Sequence, residues 1–139
     1  MARLTYLIDN SAFMRAVRLA EVQKVVDPLV ARRQIARCTM FEMEALWSAR
    51  PKDYEAVATR LHAFPLVPTH QVDWDRAAEV MALLAGTGRH RSVPIPDLIV
   101  AAIAERAQLT VLHYDGAFDA IASVTGQPME AVAPLGSVP

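Results

Sequence analysis

Two short apolar runs, each closed by an aspartate and followed by a helix-like segment, constrain the fold more than any other feature. Leu4–Ile8 ends at Asp9, and Leu109–Tyr114 ends at Asp115. Such runs, bounded by turn-forming residues, are typical of buried strands. Helix-like segments fill most of the chain between them, and strands that alternate with helices indicate a parallel sheet with helices on both faces. The sequence therefore predicts a three-layer α/β/α fold with a short, mainly parallel central sheet.

The other elements are predicted from apolar periodicity, capping residues and helix breakers. Asn10 and Ser11 open the first helix, with Ser11 as its expected N-cap. Pro28 is expected to disturb the second helix, and residues 86–96 form a loop. The remaining expected helices cover Val22–Arg33, Met40–Ala49, Lys52–His62, Val72–Leu84, Leu98–Ala107 and Phe118–Ser123, and the remaining short strands cover Phe64–Val67 and Ala131–Ala133.

Length and composition predict one ordered domain over residues 1–139. Hydrophobic residues make up 53% of the chain and charged residues 21%, which excludes a disordered protein. Cys38 is the single cysteine, so a disulfide framework and a cysteine-based zinc site are excluded. Since no apolar run approaches the roughly 20 residues of a membrane span, and no signal-peptide pattern is visible, we expect a cytoplasmic protein.

Four carboxylates are the candidate functional residues. Asp9, Asp97 and Asp115 lie at predicted junctions between strands and helices, and Glu44 lies in the helix from Met40. In a parallel α/β sheet such junctions share the edge at the carboxyl ends of the strands, so these residues would converge. Clustered carboxylates repel each other, and a hard divalent cation with oxygen ligands relieves the repulsion. The pattern predicts a metal-dependent phosphodiesterase site.

Each aspartate also has a purely local interpretation. Asp9 could cap the first helix, Asp97 could stabilise the first turn of its helix, and Asp115 could begin a turn with Gly116. One fold that places all the acids at one edge favours the shared site over three unrelated local roles.

The helix from Met40 carries two acids, Glu42 and Glu44. Because residues two positions apart on a helix are separated by roughly 200°, only one of them can face the cluster. We favour Glu44 as the site residue, with Glu42 in a supporting or interface position, although the sequence leaves the choice open.

Four segments resemble, in order, the motifs of PIN domains. Residues 7–11 place an aspartate after a strand and a serine two residues later, and residues 44–50 place a glutamate before apolar and small residues. Residues 96–104 open an alanine-rich helix with an aspartate, and residues 111–118 combine a strand, an aspartate and a phenylalanine. Length, order and spacing also resemble VapC-type toxins, the bacterial ribonucleases of type II toxin–antitoxin pairs.

The resemblance implies an endoribonuclease that depends on Mg²⁺, or on Mn²⁺, and is inhibited by a cognate VapB-type antitoxin. It implies a catalytic quartet of Asp9, Glu44, Asp97 and Asp115, with the three aspartates as metal ligands. Ser11 would support Asp9 by hydrogen bonding. Loops of transfer RNA and of ribosomal RNA are both candidate substrates.

One position departs from the pattern of this family. Many relatives carry a further acid two residues after the last aspartate, where this chain has Ala117. The departure leaves open whether the site holds one metal or two. It also keeps an alternative, a degenerate PIN domain that only binds RNA or a protein partner. A dehalogenase-like phosphatase would need an aspartate at Ser11, and a nucleotide-binding module would need a glycine-rich loop there.

The net charge of −1 does not identify a partner, but twelve of the 14 basic residues are arginine. Arginine suits bidentate phosphate contacts, although a GC-rich genome produces the same bias. Arg89 and Arg91 precede Asp97 and are candidates for binding flanking RNA phosphates, with a solvated loop as the alternative.

The predicted helices from Met40 and Lys52 carry more apolar side chains than one short layer must bury. The residues concerned are Leu46, Trp47, Tyr54, Val57 and Leu61. Because large exposed apolar patches mark interfaces, we expect a homodimer, as the family resemblance also implies.

Overall fold

The computed structural model describes residues 3–139, in which helices flank a sheet of parallel strands. The strand order is β2-β1-β3-β4, and every pairing in the sheet is parallel. The strands are β1 (Tyr6–Ile8), β2 (Ile35–Ala36), β3 (Thr110–His113) and β4 (Met129–Ala131). The predicted α/β/α fold with a parallel sheet is confirmed.

The helices occupy most of the chain between the strands. They are α1 (Asn10–Arg18), α2 (Ala20–Ala31), α3 (Thr39–Ser48), α4 (Tyr54–Leu61), α5 (Gln71–Ala85), α6 (Ile95–Ala107) and α7 (Ala117–Thr125), with short 3₁₀ turns at Pro51–Asp53 and His90–Ser92. Within residues 3–139, no helix has both the length and the apolar character that crossing a membrane requires.

Helix α6 forms the centre of the core. Every residue from Leu98 to Ala104 is buried, because the helix is apolar on all sides and packs between its neighbours α3, α5 and α7 and the sheet. Its alanines allow close approach of the surrounding backbone. This packing fixes the N-terminus of α6, and with it Asp97, at the carboxyl edge of the sheet.

Three aromatic rings join α1, α3 and the segment after α4. Phe13, Phe41 and Phe64 lie with ring centroids 5.4 to 6.2 Å apart in edge-to-face pairs, a favoured arrangement for buried rings. The contact fixes α3 against α1, so that Glu44 of α3 faces Asp9 at the start of α1.

Several predicted boundaries are wrong. Strand β2 was not predicted, whereas Phe64–Val67 contributes only one bridge, between Leu66 and Arg37, because its end residues turn into the core. Strand β4 begins two residues before the predicted Ala131–Ala133. Helix α2 continues through Pro28 to Ala31. A proline near the C-terminus of a helix removes one hydrogen bond and leaves few later turns to disturb.

The apolar side chains expected on the surface of α3 and α4 divide into two groups. Leu61 is buried in the core, which corrects that part of the prediction, and Leu46 and Val57 are half-buried. Trp47 is 89% exposed and Tyr54 47% exposed. The exposed apolar surface is therefore smaller than predicted, and it is centred on Trp47.

Candidate active site

The two aspartates that follow β1 and β3 lie at one edge of the sheet because these strands are paired neighbours. Ile8 of β1 is in register with Leu112 of β3. Asp9 comes directly after β1, and Asp115 comes two residues after β3. The carboxyl ends of the central strands therefore deliver both acids to the same place, as expected for this topology.

Asp9 is buried and is held by its own helix. One carboxylate oxygen, Oδ2, accepts hydrogen bonds from the backbone N–H of Ser11 at 2.9 Å and from the Ser11 hydroxyl at 2.5 Å. Asp9 is thus the N-cap of α1, and the prediction that Ser11 caps the helix is wrong. Burial raises the pKa of Asp9, against the lowering effect of these hydrogen bonds.

Ser11 connects the two strand ends. Its hydroxyl donates to Asp9 and also accepts the backbone N–H of Tyr114 at 2.9 Å, across 103 positions of sequence. The expected hydrogen bond from Ser11 to Asp9 is therefore present. It belongs to a chain of contacts that fixes the start of α1 against the end of β3.

Asp115 is held by backbone and by a buried histidine. Its Oδ1 accepts the N–H of Ala117 at 2.9 Å, and its own N–H donates to Nδ1 of His113 at 3.1 Å. Burial lowers the pKa of His113, so the ring is neutral and Nδ1 serves as the acceptor. The ring lies 4.9 Å from that of Phe118, which fixes its orientation.

Asp97 lies in the first turn of α6 and is only 6% exposed. Its pKa is raised to about 8, chiefly by burial and then by the charges of Asp9, Asp115 and Glu44, in that order. Asp97 therefore lies within electrostatic range of the other three acids, and the structure brings all four sequence-predicted carboxylates together.

The two glutamates of α3 have separate environments. Burial, followed by the charge of Asp9, raises the pKa of Glu44 to about 7. Glu42 forms an ion pair with Arg37, whose Nε donates to the carbonyl oxygen of Phe64 at 2.8 Å. Glu44 therefore faces the carboxylate cluster and Glu42 points to a different neighbour.

Three of the four acids carry a buried oxygen that no group within residues 3–139 satisfies. These oxygens are Oδ1 of Asp9, Oε1 of Glu44 and Oδ2 of Asp97, and Oδ1 of the neighbouring Asn10 is in the same condition. Unsatisfied, mutually repelling hard oxygens fit a divalent cation as the missing partner. As the side chains stand, no three His, Cys, Asp or Glu residues of this range are disposed to hold a metal ion together. The donor chemistry fits a cation, and ligation requires the side chains to adjust.

Comparison with known proteins identifies the family. The family profile described as PIN domain matches residues 6–124. The chain belongs to the PIN-domain family. Ribonuclease VapC21 of Mycobacterium tuberculosis is 42% identical over 134 residues, which cover 95% of this chain and 96% of the relative. Ribonuclease VapC51 of the same organism is 38% identical over 136 residues, covering 97% and 98%.

Solved structures share the fold of this PIN domain at low sequence identity. The DNA-bound VapBC from Salmonella typhimurium has a TM-score of 0.77 and 16% identity, over 94% of this chain and 99% of that chain. VapBC2 from Rickettsia felis bound to a promoter DNA fragment has a TM-score of 0.75 and 13% identity, over 92% and 98%. The resemblance to PIN domains and VapC proteins drawn from the four sequence segments is confirmed.

The arginines of the loop in this PIN domain do not contact the four acids. Arg89 donates through Nε to the Thr87 hydroxyl at 2.9 Å and through Nη1 to the Ser123 hydroxyl at 3.1 Å. Arg91 is exposed in the short turn His90–Ser92. Arg89 is therefore committed to the loop and α7.

Sequence reasoning missed Arg15, a basic residue of this PIN domain that contacts neighbours of both Asp9 and Asp115. Its Nη1 donates to the carbonyl oxygen of Ser11 at 3.0 Å, and its guanidinium carbon lies 4.6 Å from the ring centroid of Tyr114. The helical spacing of four from Ser11 could have placed it on the site side of α1.

A cleft of about 310 Å³ adjoins Glu44. It is lined by Asn10, Met43, Glu44, Trp47 and Ser48. The cleft brings exposed apolar surface directly against one of the four acids.

Proposed function

We propose that this chain is a VapC-type toxin, an endoribonuclease that uses Mg²⁺ or Mn²⁺ and is inhibited by a VapB-type antitoxin. The observation that carries the proposal is the convergence of Asp9, Glu44, Asp97 and Asp115 at one edge of the sheet. In the first three of them burial raises the pKa and one buried oxygen is unsatisfied. The ribonuclease names of the relatives VapC21 and VapC51 support the reaction class.

Asp9, Asp97 and Asp115 would hold the cation, with Glu44 beside them. When bound there, a divalent cation polarises the scissile phosphate and lowers the pKa of a water molecule. Ser11 and the N–H of Ala117 each occupy one oxygen of an aspartate, so that the other oxygen is oriented. Glu44 has a free Oε1 that can accept a proton from an attacking water.

Hydrolysis by water in line with the leaving 3′-oxygen produces a 5′-phosphate and needs no 2′-hydroxyl nucleophile. A preference for RNA must then come from the shape of the substrate, and single-stranded loops are the usual targets of such recognition. Transfer RNA and ribosomal RNA loops both meet this condition.

The antitoxin is proposed to lie across the cleft beside Glu44. Trp47 is 89% exposed and Met43 63% exposed on the same helix, which suits an apolar peptide segment. A basic side chain of that segment would pair with several of the acids and compete with the cation. The fold shared with toxins solved as VapBC complexes supports this kind of partner.

The second candidate function is a non-catalytic PIN module that binds RNA or a protein. Ala117, in place of a further acid, is the observation that favours it, since it reduces the charge available for metal binding.

Cleavage of RNA by the purified protein decides between the two functions. We expect cleavage with Mg²⁺ or Mn²⁺, none with EDTA, and products that carry a 5′-phosphate. Asp97→Asn should abolish cleavage and leave the circular dichroism spectrum unchanged, because it removes a metal ligand and relieves repulsion at the same time. Undiminished cleavage by Asp97→Asn would remove the assignment of the metal site.

A further inference from the structure

RNA is a polyanion, and the site that would cleave it is built from four carboxylates. Binding such a substrate requires cationic groups beside the cluster that hold the phosphates flanking the scissile bond. Of the two arginines expected for this role, Arg89 donates to Thr87 and Ser123 instead, and Arg91 is exposed in the turn His90–Ser92 without a contact that orients it toward the acids. The flanking phosphate therefore needs another cation on the same edge of the sheet.

Arg15 is the guanidinium that the fold connects directly to the cluster. It lies one turn into α1, where its Nη1 donates to the backbone carbonyl of Ser11, the residue whose hydroxyl donates to Asp9. Its flat face lies over the ring of Tyr114, the residue before Asp115. These contacts, to the residues that follow β1 and β3, place Arg15 beside Asp9 and Asp115.

Within residues 3–139 Arg15 has no carboxylate partner, and part of its hydrogen-bonding capacity is unused. None of the ion pairs found within residues 3–139 includes it, unlike Arg37, Arg50, Arg76 and Arg106. Its Nε is buried and has no acceptor in that range. A buried guanidinium N–H without an acceptor is costly unless a ligand supplies one.

We propose that Arg15 is a substrate-binding residue that holds a phosphate of the RNA next to the scissile bond. The inference rests on the proposed ribonuclease function and extends it to substrate recognition. The carbonyl of Ser11 and the ring of Tyr114 hold the guanidinium in one orientation. Its remaining N–H groups are therefore preorganised to donate to phosphate oxygens.

Tyr114 acts as a positioning residue for Arg15. The ring is buried, and its hydroxyl accepts the N–H of Val138 at 3.0 Å and lies 3.2 Å from the carbonyl oxygen of Pro134. The C-terminal segment thus holds the ring on which the guanidinium lies. Loss of the hydroxyl would loosen the ring without removing the cation–π contact.

The first test measures RNA binding separately from cleavage. Every variant is made in the Asp97→Asn background, and affinity for a fluorescent single-stranded oligoribonucleotide is followed by anisotropy over a range of salt concentrations. Arg15→Gln should bind about tenfold more weakly and reduce the salt-dependence slope by about 1. Arg18→Gln is the matched control, because Arg18 lies on the same helix, is exposed and contacts only a backbone carbonyl. It should change affinity much less.

The second test uses the chain with Asp97 intact. Arg15→Gln should raise KM for RNA, or lower kcat/KM, by about tenfold. Arg15→Lys retains the charge without the fork and should recover only part of the loss. Tyr114→Phe should produce a smaller loss of the same kind. Thermal unfolding checks each variant, and Arg15→Lys carries the test if Arg15→Gln does not fold.

The outcomes separate this inference from the proposed function. Equal RNA affinity of the wild-type residue and Arg15→Gln, or an equal loss in Arg15→Gln and Arg18→Gln, overturns the role of Arg15. Metal-dependent cleavage with an unchanged KM in Arg15→Gln also overturns it and leaves the proposed function standing. Arg15-dependent RNA binding without any cleavage supports the phosphate contact and removes the ribonuclease. No RNA binding by any variant removes both.

Discussion

At the scale of single residues, the raised pKa of Asp97 reflects both its burial and its repulsion by the other acids of the site. Its pKa is about 8 in the folded chain, against an ordinary value of 3.8. An acid whose pKa is raised by folding contributes stability that is complete below its unfolded pKa and is lost as pH rises through its folded pKa. The folded protein is therefore penalised for ionising Asp97, and a cation bound at the proposed site would reduce that penalty.

The first prediction concerns stability against pH in EDTA. The thermal midpoint should fall by at least about 3 °C between roughly pH 6.5 and pH 8 and level off above that, because over this range Asp97, and up to about pH 7 also Glu44, is ionised in the unfolded chain but still protonated in the folded one. His113, with its lowered pKa, acts in the opposite direction but below that window. Asp97→Asn should flatten the profile, as measured by differential scanning fluorimetry. An identical profile in wild type and variant would contradict the raised pKa of this carboxylate.

The second prediction compares the two glutamates of α3. Glu44→Gln should lower kcat/KM for RNA cleavage by about 10²-fold or more, since it removes a charge and a proton acceptor at the cluster. Glu42→Gln is the same change two residues away, and its expected effect is a small loss of stability from the ion pair with Arg37. The reverse order of activities would show that the wrong glutamate has been assigned.

The choice between these two glutamates could not be made from the sequence. The helical period separates Glu42 from Glu44 but cannot say which faces inward. The decision comes from tertiary contacts, since Arg37 pairs with Glu42 and the aromatic contact of Phe41 orients the helix. Asp9 and Asp115 were predictable because each ends an apolar run of a parallel strand.

At the scale of elements, predictability follows from local signal. Strands β1 and β3 are runs of apolar residues and were found from sequence alone. Strand β2 has two residues, Ile35–Ala36, and exists only because they pair with Tyr6 and Leu7 of β1. A pattern of two residues does not specify a strand, so β2 could not be predicted from the sequence.

The third prediction concerns the contact that joins α5 to α6. Asp73 is 1% exposed and accepts from Nε of Arg106 at 2.7 Å and from the N–H of His70 at 2.8 Å. Asp73→Asn should lower the free energy of unfolding by about 1–3 kcal/mol, because it weakens the charged hydrogen bonds from Arg106, which is itself partly exposed. Urea unfolding measures the change.

Asp75→Asn is the matched control on the same helix, because Asp75 is exposed and contacts only the Gln71 side chain. It should change stability by less than about 0.5 kcal/mol. Cleavage per folded molecule should survive Asp73→Asn, since Arg106 and Asp97 lie about 14 Å apart along α6. Complete loss of activity in a folded Asp73→Asn protein would show that the contact also orders the site.

At the scale of the whole molecule, exposed apolar surface indicates assembly. Val72 is more than half exposed, and Leu66 and Trp74 are nearly half exposed beside a groove between α3 and the start of α5, which is distinct from the cleft proposed for the antitoxin. The fourth prediction is that the isolated protein is a homodimer at micromolar concentration. Light scattering measures the mass, and a monomer under these conditions would remove the dimer proposal.

The fifth prediction rests on the proposed function and concerns inhibition by a VapB-type antitoxin. Full-length antitoxin should suppress cleavage, and excess Mg²⁺ should only partly restore it, because a peptide segment and the cation compete for the same acids. An antitoxin that lacks its C-terminal segment should bind less tightly and inhibit poorly. Full inhibition by the shortened protein would place the block elsewhere on the toxin.

The hydrogen bond from Tyr114 to Ser11 has a consequence for synthesis of the chain. Asp9 and Glu44 lie in the first half of the sequence, and Asp97 and Asp115 lie in the last third. The two parts come together at the site when β3 pairs with β1 and the Tyr114 N–H reaches the Ser11 hydroxyl. A ribosome that has released only the first half carries two of the four acids, so under the proposed function a nascent or truncated chain would lack a complete site. Two fragments made by dividing the chain near residue 88 would each carry two of the four acids. Expressed separately, they would restore the complete site only when both are present and associate.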